Sequence, residues 1–324
     1  MTKSAVIECV PNFSEGRRPE IIEAIAASIR HVEGVKLLDV DPGKATNRTV
    51  MTMAGAPERV VEAAFQAIKT AASLIDMRTH TGEHPRMGAT DVCPLIPISG
   101  ITMEETARYA HQLASKVGSE LGIPIYMYEA AANKPERRNL ATIRAGEYEG
   151  FAAKMSDPEW QPDYGPATFN VNSGATVIGA RDFLIAYNVN LNTRSERKAN
   201  AVAFDIREKG RIQRIGHPVT GEIIRDEKGE PVREDGLLKG VKAIGWYIAE
   251  YGIAQVSMNI TNVNQTSLHA AFDACVKSAA SRGLRVTGSE LVGLVPLQVM
   301  IDAGRHYLKM QGLSYAVPEN ELIH

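Results

Sequence analysis

The densest group of reactive side chains lies in one short stretch: Arg78, His80, Glu83, His84 and Arg86. Two imidazoles, a carboxylate and two guanidinium groups within nine residues can move protons near neutral pH and hold anions. Gly82, Pro85 and Gly88 punctuate the stretch, so it reads as a loop. Ionisable groups on a Gly/Pro loop mark either a site or a solvated surface turn. His80, Glu83 and His84 also match H-x-x-E-H, a zinc-hydrolase pattern. That chemistry needs both histidines on one helical face. Gly82 between them and Pro85 directly after oppose a helix, and no third ligand is marked. The expectation is no catalytic metal, with a zinc-dependent hydrolase at His80 and His84 as the rival.

Asp39 and Asp41 form a second cluster, with Gly43, Asn47 and Arg48 close behind. The two carboxylates alternate with apolar residues, so on a strand both point to one face. At a strand end such a pair binds a cation or transfers a proton, or it is a turn using Asp and Gly for backbone reasons. Phosphate-loop signals are poor. Residues 174–181 have Walker-like glycine spacing but no Lys-Ser/Thr, and no G-x-G-x-x-G follows a strand. Residues 288–296 read as a compact Gly/Pro turn that serves packing. His31, His111, His269, His306 and His217 lack reactive company and read as solvated or structural.

These groups need a scaffold. Apolar spacing predicts strands over 5–10, 35–40, 47–54, 92–98 and 123–128, the last closing the first half. Helices are predicted from Pro19 to Ile29, from Pro57, and from a Thr102–Glu105 capping box to about Gly122. The second half repeats the order: strand 183–191, helix 195–209 stopped by Gly210, strands 242–249 and 255–260, helix 267–282, strand 284–286. The fold class expected is α/β (α+β): two ferredoxin-like β-α-β-β-α-β subdomains, 1–180 and 181–324, with a substrate cleft or tunnel between them. Residues 211–236 read as a surface hairpin or mobile insertion. Residues 157–174, with three prolines and two glycines, are a plain linker or a binding loop.

The chain has 324 residues, enough for two domains of ordinary size. Its formal net charge of -2 gives no field for nucleic acid. Cys9, Cys93 and Cys275 are scattered and odd in number, against a disulfide framework and in favour of a reducing cytoplasm. No 18-residue apolar run is present, so no membrane span is expected, and the N-terminus lacks the apolar core of a secretory signal.

Several longer segments resemble one family. They are Glu8-Cys-Val-Pro-Asn-Phe-Ser-Glu-Gly16, Leu38-Asp-Val-Asp41, Thr46-Asn-Arg-Thr-Val50 and Gly82-Glu-His-Pro-Arg-Met-Gly-Ala89. Asp91-Val-Cys-Pro94, Ile143-Arg-Ala-Gly-Glu-Tyr-Glu149 and Gly288-Ser-Glu-Leu-Val-Gly-Leu-Val-Pro296 complete the set. Together they resemble the glutamate formimidoyltransferases, collinearly and over nearly the whole chain. The resemblance implies two α/β halves and transfer of a formimino group between N-formimino-L-glutamate and N5 of tetrahydrofolate, in histidine degradation and one-carbon metabolism. It places the catalytic histidine on His84 and the aspartate on Asp41. It places folate, a co-substrate, on Gly165, Pro166, Ala167, Thr168, Phe169, Asn170, Val171, Asn172, Ser173 and Gly174. Animal members carry Trp where this chain has Ser173, and a shorter segment at 211–236. Arg86, with Glu83 beside it, is the candidate for binding the glutamate moiety. Animal members also carry a cyclodeaminase, so this chain resembles the transferase alone. A cytoplasmic homodimer acting on small molecules is expected. Two further functions compete with this expectation: a formyl transferase working on formylglutamate or 5-formyltetrahydrofolate, and a non-catalytic folate-binding protein.

Overall fold

The computed structural model of the chain describes residues 4–217 and 220–310. These fall into two compact units, divided between Asp182 and Phe183.

The first unit opens with β1 (Val6–Cys9) and β2 (Asn12–Phe13), one strand broken at Pro11. Then come α1 (Pro19–Arg30), β3 (Val35–Gly43), β4 (Arg48–Gly55), α2 (Pro57–Leu74), β5 (Thr90–Ser99), α3 (Met103–Leu121) and β6 (Ile125–Glu129). Two short helices, α4 (Leu140–Arg144) and α5 (Glu147–Met155), precede β7 (Thr176–Ala180). The sheet runs β3, β4, β1/β2, β5, β7, β6; β7 lies parallel to both β5 and β6. Pro57 sits in the first turn of α2, where its missing N–H costs nothing. Thr102 and Glu105 form the predicted capping box, and Gly122 ends α3 in the left-handed region at φ 64°.

β5, β6 and β7 are covered on both faces. Ile125, Met127, Cys93, Leu95 and Ile178 join the core under α1–α3, whereas Val92, Tyr126, Tyr128 and Val177 pack with Ile143, Phe151 and Met155 of α4 and α5. Strands buried on both faces read as unbroken apolar runs without alternation. This corrects the reading of residues 174–181 as glycine spacing, and of 123–128 as the last strand of the half. The glycine at 179 lets the β7 backbone lie against Tyr128. Cys9 and Cys93 are buried with Sγ atoms 3.4 Å apart, both free.

The second unit has β8 (Ile185–Leu191), α6 (Glu196–Ile206), four short strands β9 (Arg211–Ile212), β10 (Arg214–Ile215), β11 (Glu222–Ile223) and β12 (Arg233–Glu234), then β13 (Val241–Ile248), β14 (Ile253–Ile260), α7 (Leu268–Ser281), β15 (Val286–Val292) and α8 (Leu297–Met310). Its sheet order is β13, β14, β8, β15, all antiparallel. That is the spatial order of β3, β4, β1/β2 and β5 in the first unit, so both are mixed α/β units built on one β-α-β-β-α-β plan. Of the two readings of residues 211–236, a surface hairpin or a mobile insertion, the pairings β9·β12 and β10·β11 form the hairpin among the described residues.

Several boundaries differ from expectation; β3 runs on to Gly43 rather than ending at residue 40, and two others have a clear physical cause. The helix from Ser195 stops at Ile206 rather than Lys209, because Leu237 and Leu238 N–H groups take the carbonyls of Asp205 and Ile206. The last strand runs to Val292 rather than stopping at 286, since β8 offers it a full edge through a register shift at Gly288. Residues 288–292 are thus strand, and the turn begins at Gly293.

The loop over 157–174 is fixed at its base by a buried ion pair. Arg137 Nη1 donates to Asp163 Oδ2 at 2.8 Å, and Nη2 donates to the carbonyls of Glu159 and Gln161. The same carboxylate accepts the Met127 N–H and the Asn133 amide. Asp163→Ala strands the Arg137 charge in the interior and lowers the unfolding free energy by about 3–5 kcal/mol. Urea unfolding measures this; a loss under about 1 kcal/mol contradicts the anchoring role.

Candidate active site

The reactive stretch sits between α2 and β5. Met77–Thr79 make a single 3-10 turn capped by the Asp76 carboxylate, and no helix follows through Arg86. The zinc-hydrolase geometry therefore does not form. The path of the loop is set by residues far away in sequence. Asn47, at φ 49°, accepts the Gly16 N–H on its side-chain oxygen and donates its amide to the Thr81 carbonyl. Its own carbonyl accepts from His80 Nε2 at 2.9 Å. Gly82 packs its Cα against the Thr46 carbonyl, leaving no room for a Cβ.

The two histidines hold opposite tautomers. Arg48 Nη1 lies 2.7 Å from His84 Nε2. A guanidinium has only donors, so Nε2 carries the lone pair and Nδ1 the proton, which goes to the Pro85 carbonyl at 2.7 Å. His80 is the reverse: Nε2–H donates to Asn47, and Nδ1 accepts from Arg86 Nε at 3.3 Å. Burial, then the charges of Arg48 and Arg144, push His84 down to about 4, with Asp91 and the Pro85 bond opposing. Burial lowers His80 as well. Both imidazoles are neutral across the physiological range, and each has both nitrogens engaged.

Arg86 is placed differently from expectation. It is buried and forks onto Glu149, at 2.6 and 2.8 Å, with Glu147 at 3.1 Å and the His80 carbonyl at 3.2 Å. These carboxylates, Glu149 foremost, hold its pKa above the usual value. Its donors are occupied by the start of α5, so it ties that helix to the loop and has no fork to spare for a substrate. Glu83 is exposed, its backbone N–H bonded to the Ala45 carbonyl. Asp41 is exposed on β3 opposite Val50, two positions from Asp39, so the pair shares a face. Asp41 acts on Arg48 through space and makes no hydrogen bond to His84 among the described residues.

Three residues that composition left unassigned complete the site. Asp91, buried on β5, accepts the Met87 N–H on Oδ1 and Arg144 Nη2 on Oδ2 at 2.6 Å. Arg144 thereby reaches from α4 to β5, where its charge acts on His84. Arg48 starts β4; burial, then Arg144, lower it to about 10, with Asp91 and Asp41 opposing. All three lie in the family segments named above, which was the available signal.

Residues 165–174 dock on this loop through backbone bonds. Met77 N–H donates to the Asn172 carbonyl, Ala89 N–H to Ser173, and Ala175 N–H to Met87. Gly174, at φ 67°, lies against the Met87 carbonyl and Gly88, and tolerates no Cβ. Asn170 turns the loop by accepting the N–H groups of Asn172 and Ser173. Phe169 is not a free stacking face: it packs against Tyr148 at 5.2 Å and Phe151 at 6.5 Å. Gly165, Ala167, Thr168, Val171 and Asn172 are exposed, while Pro166 is half-buried and Ser173 buried. The stretch is thus a rigid ledge beside His84, with short side chains facing out.

Among the described residues no group of three or more His, Cys, Asp or Glu is arranged to hold a metal ion, and no helix is long and apolar enough to cross a membrane.

Residues 6–181 match the N-terminal subdomain of the formiminotransferase domain, and residues 186–324 match the formiminotransferase domain. A glutamate formimidoyltransferase of Streptococcus pyogenes serotype M1 is 40% identical over 98% of this chain and 99% of its own length. One from Thermoplasma acidophilum is 40% identical over 95% of this chain and 94% of its own. A formimidoyltransferase-cyclodeaminase of Dictyostelium discoideum is 46% identical over 95% of this chain but 54% of its own length, so the chain spans about half of that relative. With the two domain matches together covering nearly all of it, this chain belongs to the formiminotransferase domain family.

Proposed function

We propose that the protein is a glutamate formimidoyltransferase, moving the formimino group between N-formimino-L-glutamate and N5 of tetrahydrofolate with His84 as the proton carrier. The observation that supports it most is the single tautomer of His84: neutral, Nδ1–H fixed on Pro85, Nε2 holding the lone pair. An amine attacking an amidine carbon gains a C–N bond and must lose a proton. The departing amine must gain one before the other C–N bond breaks. A neutral imidazole on a fixed backbone can do both, taking the proton on Nε2 and returning it to the leaving nitrogen. The proline after His84 restricts the backbone there, which fixes where the ring sits.

Tetrahydrofolate is assigned to the ledge from Gly165 to Gly174. Its support is the backbone docking of that ledge on residues 77 and 87–89, either side of His84. Exposed Thr168 and Asn172 offer hydrogen bonds, and Val171 an apolar contact. Asp41 is assigned an electrostatic role beside Arg48 rather than a bond to the imidazole. Arg86 and Glu83 are assigned to the scaffold and the rim. A homodimer in the cytoplasm belongs to the same reading, dimers being the commonest assembly of such enzymes.

His84→Ala is expected to lower turnover of formiminoglutamate about 10²–10⁴-fold, with folate affinity retained. His80→Ala, which removes a scaffold contact, costs far less. A spectrophotometric assay with tetrahydrofolate checks both; near-normal turnover in His84→Ala contradicts the assignment.

Saturating tetrahydrofolate should slow amide exchange across residues 165–174. Gly174→Ala, which pushes the ledge off Met87, should abolish that protection and weaken folate binding. An exchange pattern in the wild type that ignores tetrahydrofolate sinks the folate assignment.

A further inference from the structure

His84 as found does not accept a proton near neutral pH, because Arg48 occupies its only lone pair. Arg48 is itself unusual. The other buried or half-buried guanidinium groups of this unit's interior each have a carboxylate: Arg86 has Glu149, Arg137 has Asp163, Arg144 has Asp91. Among the described residues no carboxylate forms an ion pair with Arg48; its buried Nε lacks a hydrogen-bond partner, as do those of Arg137 and Arg144, but those two each hold a carboxylate through the fork. A buried cation without a counter-ion is unfavourable, and its fork matches a carboxylate. The substrate class assigned above carries two carboxylates.

We propose that Arg48 is the anchor for a carboxylate of the glutamate substrate, and that its change of partner switches His84 on: the carboxylate takes the guanidinium, and His84 Nε2 is released to accept the amine proton. The inference rests on the transferase reading and names the group that activates its base. No covalent bond changes in this step; one hydrogen-bond acceptor replaces another. The groups facing the pair are Asp41 from β3, Asp91 from β5 and Arg144 from α4. Asp91 is ion-paired to Arg144 and Asp41 is exposed; both favour the Arg48 cation through space, but neither forms an ion pair with it. Before binding, the neighbouring cation keeps His84 hard to protonate. Pairing Arg48 with an anion cancels that charge and raises the basicity of the imidazole when the substrate is present. Water protons are thus not captured in the empty site.

The test is a pH titration of His84 in 15N-histidine-labelled whole protein, assigned by the loss of its signals in His84→Gln. The free protein should titrate near 4, with the Nδ1–H tautomer. Saturating L-glutamate, used as the unreactive probe, should move the midpoint upward toward the ordinary 6.5. Arg48→Met should show a raised midpoint without glutamate and no further movement with it. It should also raise the KM for formiminoglutamate on the order of a hundredfold and leave the KM for tetrahydrofolate unchanged. Arg48→Lys, which keeps the charge without the fork, should recover only part of the loss. Glutamate that leaves His84 unmoved, or binds Arg48→Met as tightly as wild type, overturns the proposal. The wild-type titration requires no variant, so poor folding of Arg48→Met leaves it decisive. Failure of the transferase reading is separate: the wild type would then not turn over formiminoglutamate although His84 still responds to glutamate.

Discussion

The bond from Arg48 to His84 Nε2 sets two conditions that the rest of the first unit meets. A neutral imidazole must stay at fixed orientation inside a positively charged pocket, and a guanidinium must stay buried without a carboxylate of its own. The first condition is met by the Pro85 carbonyl and by Asn47, which fastens the loop to the chain's N-terminal segment. The second is eased by Asp91, whose charge favours the Arg48 cation through space more than Arg144 opposes it, although the carboxylate itself is bonded to Arg144. Asp91 is also the acceptor for the Met87 N–H, so one buried carboxylate shapes both the electrostatics and the backbone after His84.

The shared β-α-β-β-α-β plan accounts for the core of each unit, but the site depends on what the first unit adds to it. β6, β7, α4 and α5 extend the sheet beyond β5 and carry Arg144, Glu147 and Glu149 to the loop. β5 is thereby converted from an edge strand to an interior one, which is why its loop can be held from both sides. The ledge at 165–174 leads straight into β7, so the strand that completes the sheet also delivers the ledge to residues 87–89.

Local signals were legible where chemistry acts at short range. The capping box at Thr102, the proline opening α2 and the serine caps of α6 and α7 lie as their residue types require. The strand at 176–180 was not legible because Gly174 and Gly179 gave its short run the look of a glycine loop, whereas β5 and β6, buried on both faces as well, showed as unbroken apolar runs. The end of α6 was set by Leu237 and Leu238 returning from a hairpin, which no helix signal encodes. The role of Arg86 was hidden for a related reason. An arginine in a reactive loop looks like a substrate anchor until its partner, 63 residues later, is seen across the fold. Arg48 stood in view beside Asp41 and Asn47, but only the missing ion pair and the His84 contact single it out.

The account turns on His84 being the group that carries the proton, and chemical rescue tests this most directly. His84→Ala leaves a cavity where the ring stood, so added imidazole can supply the missing base. The account predicts that imidazoles restore turnover to His84→Ala but not to a folate-ledge variant, with rates rising with the basicity of the added base. A folded, folate-binding His84→Ala protein that turns over formiminoglutamate at the wild-type rate without imidazole would contradict it.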